Sequence, residues 1–163
     1  MIFYEDFIKK IEEAQYEELQ LEEIENFGLE KTKKMGGYGI AIPLMLIATY
    51  EIFVAIFMKQ YYLILIALVL FYFGLRQCRN MWAYKVVVNT KEKHFFFQKL
   101  DLDLYKVEKI QLREAKIGKK VTVVLDFITI EKKQVIIPMY MTNQLRLVRV
   151  LQNLVGSKFS IKK

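Results

Sequence analysis

Two apolar runs separated by a pair of polar residues constrain this chain more than any other feature. From Ile40 it reads IAIPLMLIATYEIFVAIFM, then Lys59–Gln60, then YYLILIALVLFYFGL. A hydrocarbon core takes about 17–25 apolar residues per helix. The thirty-four residues of the two runs are too many for one span and suit two, so residues 35–82 are expected to form a transmembrane helical hairpin. The second run is short and is expected to borrow Gln60 and Arg76 at its ends, where long side chains reach the headgroups. Pro43 fits the first turn of a helix that begins near Ala41, because a first-turn N–H has no intrahelical partner to lose.

Charge divides the rest. Residues 1–34 hold ten acidic side chains and five lysines, whereas residues 76–163 hold nineteen Lys/Arg against seven Asp/Glu. The middle carries only Glu51 and Lys59. Lys31, Lys33 and Lys34 precede the first run and Arg76 and Arg79 follow the second. The positive-inside rule therefore expects both termini in the cytoplasm and the hairpin in the cytoplasmic (inner) membrane. The acidic first thirty residues lack the apolar stretch of a secretory signal. One cysteine, Cys78, excludes an internal disulfide and fits a reducing compartment.

Glu51 lies near the midpoint of the first run, where a carboxylate is expensive. Ala41, Ala48 and Ala55 recur every seven residues, with Leu44, Glu51 and Met58 three positions after each. Ala67 and Gly74 repeat the spacing in the second run. Small residues at this period let helices approach closely, so Ala48, Glu51, Ala55, Ala67 and Gly74 are expected on a packing or oligomerisation face. Folding the hairpin about residues 59–60 sets Glu51 opposite Ala67 to Leu70, which offer nothing polar. The expectation is a protonated Glu51 or a partner from another chain, with a homo-oligomer or larger membrane complex in that case.

After Trp82 the apolar period becomes two. YKVVV and HFFFQ flank the polar turn NTKEK, LDLDL turns Leu100, Leu102 and Leu104 inward, and KIQLR places Ile110 and Leu112 on one face. A turn at Gly118 precedes VTVVLDFITI, in which Val121, Val123, Leu125 and Phe127 share a face. Pro138 ends or edges the strand QVIIPM. Then Thr142 or Asn143 can cap a helix whose stripe is Leu147, Val150, Leu151 and Leu154, with Arg146 and Arg149 turned outward and Gly156 as its stop. Five to seven antiparallel strands closed by a C-terminal helix are expected over residues 83–163.

The stretches YKVVVNTKEKHFFF directly after a span, LDLDLYKVEKIQL, and QVIIPMYMTNQLRLVRVLQNLV resemble the bacterial pleckstrin-homology-like domains attached to pairs of transmembrane helices, including the YcxB-like group. The resemblance covers about residues 60–156. It implies a non-enzymatic module that binds peptides, lipids or its own kind. The fold class expected for the whole is an α+β membrane protein: N-terminal amphipathic helix, two-helix hairpin, and cytoplasmic PH-like antiparallel β domain with a C-terminal helix.

Residues 1–34 read as an acidic cytoplasmic arm. Phe3, Phe7, Ile11, Ala14 and Leu21 line one stripe at helical spacing, and a negative polar face suits protein better than an anionic leaflet. Their expected partner is protein, and by charge the basic tail of the same chain or of a neighbour. Asn26–Gly28 and Gly36–Gly39 read as hinges.

Catalytic parts are missing from the pattern: no phosphate-binding loop, zinc spacing or nucleophile elbow occurs. His94 stands on a strand among phenylalanines, and Asp101 and Asp103 lack a third ligand for a hard cation. No enzyme activity, metal or cofactor is expected. Lys106, Lys109, Arg113, Lys116, Lys119 and Lys120 gather around one strand and its turn, where each lysine near an anionic leaflet contributes about 1 kcal/mol. Anionic lipid headgroups or an acidic partner are the expected ligands. Nucleic acid is not, since no aromatic–basic motif accompanies the charge. A membrane-anchored scaffold or assembly subunit follows, and an oligomeric channel or membrane-permeabilising effector using Glu51 is the alternative.

Overall fold

The computed structural model describes residues 4–14, 16 and 18–162. It contains four α-helices and eight strands among them, in the order α1 (Tyr4–Ala14), β1 (Ile24–Gly28), α2 (Lys31–Phe57), α3 (Tyr62–Ala83), β2 (Lys85–Asn89), β3 (His94–Phe97), β4 (Leu100–Asp103), β5 (Val107–Ile117), β6 (Lys120–Thr129), β7 (Gln134–Pro138), α4 (Gln144–Val155) and β8 (Phe159–Ile161). The chain divides into two compact units, one made of Met1–Gly28 with Lys85–Lys163 and the other of Leu29–Tyr84.

The first unit holds two four-stranded sheets, ordered β1-β2-β3-β4 and β7-β6-β5-β8. Apolar residues at alternate positions turn to one face of each strand: Phe27 on β1, Val86 and Val88 on β2, Phe95 on β3, Leu102 on β4, Ile110 and Leu112 on β5, and Leu125 and Phe127 on β6 are all buried. The Phe95 and Phe127 rings meet at 4.9 Å between centroids and tie one sheet to the other. Burying a phenylalanine of this kind contributes about 1.5–3 kcal/mol. The β5–β6 connection is Gly118–Lys119, with Ile117 opposite Lys120. Gly118 takes φ +63° while Lys119 stays negative, which is the pattern of a two-residue type II′ turn and needs glycine first.

α4 buries Leu147, Val148, Val150 and Leu151 and stops at Gly156, whose φ of +55° favours glycine. Asn143 holds the position before its first turn in a left-handed conformation, without capping through its side chain. The short β8, which no alternation announces in three residues, runs parallel to β5 with Ile110 opposite Phe159.

The acidic arm is where the sequence expectation and the structure part. Residues 1–34 were expected as a helical arm docked by charge on the basic tail of the same chain or of a neighbour. The arm does join its own chain's tail, but as sheet, with β1 pairing along its whole length with β2, from Ile24 opposite Asn89 to Gly28 opposite Lys85. The Asn26–Gly28 stretch is therefore strand and not hinge. Thr90 N–H donates to Glu23 O at 3.0 Å, and Thr142 N–H to Gly28 O at 2.8 Å. α1 buries Phe7, Ile8, Ile11 and Ala14 and packs on α4, so the stripe expected to face a partner is covered by the chain's own C-terminal helix. Leu21 lies beyond the helix and is exposed, because the helix ends at Ala14; Phe3 lies outside the described residues. The physical reasons for the merger are two: α1 buries its apolar stripe and packs on α4, and β1 pairs the backbone edge of β2.

The second unit is an antiparallel helical pair. α2 and α3 are both long and apolar enough to cross a membrane, with mean hydropathies of 2.2 and 1.5 in their most apolar windows. α2 starts at Lys31, not near Ala41, so Pro43 lies inside it and Gly36–Gly39 are helical instead of hinged. Gly37 explains why: a Cβ there would run into the Met81 side chain of α3, so glycine permits close packing along a continuous helix.

Candidate functional site: the hairpin seam and its glutamate

The contact between α2 and α3 is built from small residues. Ala41, Ala48 and Ala55 of α2 and Ala67 of α3 are fully buried, and Gly37, Gly74 and Met81 complete the seam. At Gly74 a Cβ would lie 2.5 Å from Met45 Cγ and 3.2 Å from the Ala41 carbonyl oxygen, so a side chain there requires Met45 to move and crowds the α2 backbone. The seven-residue spacing expected for Ala48, Ala55, Ala67 and Gly74 thus describes the packing of this hairpin on itself. These four residues are spent within the chain.

Large side chains point the other way. Leu46, Phe53, Phe57 and Leu65 are exposed, Phe57 at 82%. Two polar contacts lie on the helices: Thr49 Oγ1 donates back to Met45 O at 2.9 Å, and Trp82 Nε1 donates to Tyr38 Oη at 2.6 Å across the pair.

Glu51 is distinguished by enclosure. It is half-buried at the margin of the seam, three residues after Ala48 and four before Ala55, and its Oε2 is shut off from the surface with no hydrogen-bond partner. Leaving such an oxygen unpaired costs about 1–3 kcal/mol. The α3 residues expected opposite, Ala67 to Leu70, supply no donor, and no local bond replaces one.

The basic residues singled out in the sequence do not act as one patch. Arg113 Nε donates to Asp126 Oδ2 at 2.9 Å, and Gln134 Nε2 donates to the same carboxylate, so this guanidinium compensates a carboxylate that is only 1% exposed. Lys106 stands 3.6 Å from Asp103. Lys109 and Lys116 are on opposite faces of β5, paired with Ile128 and Val121. What remains together is the β5–β6 tip, where Lys116, Lys119 and Lys120 are exposed beside Ile117 (39% exposed) and Val121 (48%). Counting the arm, the unit holds nineteen basic and sixteen acidic residues, so its charge is local to such places.

His94 Nδ1 and Asp101 Oδ1 are 2.8 Å apart, and the hydrogen bond to Asp101 raises the imidazole above its ordinary value. Asp103 accepts from Tyr105 N–H at 2.9 Å. These surface partners explain both aspartates. Arg146, expected to turn outward, instead reaches the arm: its Nη2 and Nε donate to Glu25 at 2.6 and 2.9 Å, with Nη2 also donating to Gln20 O. Glu25 is 3% exposed, and the guanidinium holds its carboxyl below the usual carboxylate value against the opposing effect of burial. Sequence reasoning missed this pair because a glutamate at an inward strand position looks like a break in alternation. The signal was the Phe27 two residues on.

No family model, curated protein or solved structure matches the chain.

Proposed function

We propose that the chain is a two-span membrane protein that acts as a non-enzymatic scaffold or assembly subunit, holding a PH-like β module against the cytoplasmic face. The observation that carries this reading is the point of insertion. The apolar hairpin leaves the β unit after Gly28 and returns before Lys85, and these residues are direct partners in the β1–β2 ladder. A segment entering and leaving a folded unit at one ladder rung keeps both of its ends on one side of a bilayer. Only Leu29–Glu30 and Tyr84 lie between helix and strand.

Lengths agree with a span. From Tyr38, bonded to Trp82, to Lys59 in the helical turn is twenty-one residues, or about 32 Å at 1.5 Å per residue, close to a hydrocarbon thickness of about 30 Å. An aromatic pair at one end and Lys59–Gln60 at the other are the side chains expected at the two interfaces. The cations around Lys31 and Arg76 lie at the tethered end and favour the cytoplasm. A four-stranded meander, a three-stranded meander and a following helix support the PH-like resemblance, with the hairpin placed between its first two strands. The β5–β6 tip, three lysines around two exposed apolar residues, suits anionic headgroups.

Single cysteines introduced at Lys59 and Lys119 in a Cys78→Ser background test the arrangement with a membrane-impermeant maleimide on intact cells. Lys59→Cys should label and Lys119→Cys should label only after permeabilisation. Labelling of both in intact cells, or release of the protein by alkaline extraction, overturns the anchored reading. Stoichiometry and co-purifying proteins of the detergent-extracted complex then test the assembly role, which a monomer free of partners would sink.

A further inference from the structure

We propose that the tip of the β5–β6 ribbon, Lys116 to Val121, is a second membrane contact, in which Ile117 and Val121 enter the headgroup layer of an anionic bilayer and Lys116, Lys119 and Lys120 bind its phosphates. This rests on the membrane-spanning reading above and deepens it by naming the segment that touches lipid and how it enters.

The ribbon outruns its sheet. β8 pairs with β5 no further than Leu112, whose carbonyl accepts from Lys162 N–H. β7 ends at Pro138 opposite Val124, and Met139 N–H donates to Val123 O. Beyond those points β5 and β6 have only each other, through four rungs from Glu114 opposite Val123 to Ile117 opposite Lys120. From Arg113 to Ile117 the ribbon extends about 13 Å at about 3.3 Å per residue. Residues Lys116 to Val121 are exposed without interruption.

Its side chains suit a bilayer better than a protein face. Residues opposite each other in a ladder share a face, so Lys116 and Val121 stand on one side of the ribbon and Ile117 and Lys120 on the other. A protein surface laid against either side covers one aliphatic side chain and leaves the other in water. Entry end-on into a fluid interface covers both, while flexible lysine stems keep the ammonium groups among the phosphates. The charge is uncommitted as well. Lys106, Arg113, Lys132 and Lys133 each face a carboxylate, whereas no ion pair engages Lys116, Lys119 or Lys120 among the described residues. The ribbon's acidic side chain, Glu114, stands at its base.

Position within the β unit agrees. Met139, bonded to Val123 at the base of the ribbon, lies three residues before Thr142, which donates to Gly28 O. Three residues reach at most about 11 Å. Gly28 is the last residue of β1, and only Leu29–Glu30 separate it from α2. The ribbon therefore starts from the end of the β unit at which the chain departs for its apolar helices.

The test uses the full chain in nanodiscs of phosphatidylglycerol with phosphatidylcholine, or of phosphatidylcholine alone. In a Cys78→Ser background a fluorophore is placed on Ile117→Cys or, at the other end of β6, on Glu131→Cys. Nitroxide on the lipid headgroups should quench the Ile117 label in anionic discs, less so in high salt, and should leave the Glu131 label bright. Each lysine at an anionic surface favours docking about fivefold. Lys116→Gln, Lys119→Gln and Lys120→Gln together should lower the docking constant about a hundredfold and abolish quenching, whereas arginine at the same three positions should keep it. Sheet ellipticity is measured for every variant, so that loss of fold is seen separately. An unquenched Ile117 label in anionic discs, or equal quenching in phosphatidylcholine alone or in the folded triple Gln variant, overturns the proposal. So does a label that responds to added duplex DNA or polyglutamate and not to lipid. Failure of wild type to enter the discs sinks the membrane-spanning reading itself, whereas an incorporated chain with an unquenched tip sinks only this contact.

Discussion

The two units bury opposite kinds of side chain. In the β unit the interior is large and apolar, with Phe27, Phe95, Phe127 and Leu151 fully enclosed. In the hairpin the interior is alanine and glycine, while phenylalanines and leucines of similar size point out. Water as solvent rewards hiding large apolar surface. The lipid surround proposed for the hairpin offers no such reward, and there close backbone approach decides the contact instead. Each unit also encloses a carboxylate, and the same contrast appears there. Glu25 is matched by Arg146, whereas Glu51 Oε2 has no partner among the described residues.

That comparison is best broken where it predicts most. Phe27→Ala should destabilise the β unit by about 3–5 kcal/mol, the usual cost of emptying a phenylalanine site. Chemical unfolding followed by sheet ellipticity measures it, and a near-silent substitution would show the arm to be dispensable to that core. The same change at Phe57, which is outward-facing on α2, should cost well under about 1 kcal/mol on the same axis.

A volume increase should reverse the order. Gly74→Leu meets Met45 and the Ala41 carbonyl directly, and overpacking of this kind costs about 1–3 kcal/mol. Cross-linking between cysteines placed at Tyr38 and Trp82 should fall in that variant. Undiminished cross-linking would mean that small residues do not set the helix approach.

The partnered carboxylate gives a pH signature. Arg146 depresses the Glu25 carboxyl in the folded state, so the unfolded chain takes up its proton first as pH falls. The stabilisation is complete above the ordinary carboxylate range and is lost as pH drops through the depressed folded value. Arg146→Met should cost about 2 kcal/mol at pH 7, allowing for a guanidinium that is itself partly solvated, and should flatten stability against pH across the acid range. A variant whose acid unfolding keeps the wild-type profile would assign that dependence to other carboxylates.

The smallest effect is at the surface. Asp101→Asn should move the His94 titration down toward the ordinary imidazole value with little change in stability, since the pair is solvent-exposed. Imidazole proton shifts in a pH series read this directly, and an unmoved midpoint would remove Asp101 as the cause.

Much of this was legible in the residues themselves. The period of two marks β2 to β7, the period of 3.6 marks α4, and the seven-residue recurrence of alanine marks the hairpin seam, because each follows from how one element repeats along its own length. Gly118 and Gly156 sit where left-handed backbone is required. Other features had no local signature. β1 reads as a polar pentapeptide until β2 is beside it, and β8 is three residues long.

The sequence by itself determined the strands from β2 to β7, α4, the two long apolar helices and their apolar faces, since periodicity and backbone sterics are local. Tertiary structure alone decided that the acidic arm joins its own chain's basic tail through a strand, because strand pairing across fifty-odd intervening residues depends on where the hairpin returns the chain. It also decided that Arg146 and Arg113 are spent on Glu25 and Asp126 while the lysines of the β5–β6 tip remain exposed. Charge is visible in a sequence, but its compensation is a distance between residues remote along the chain.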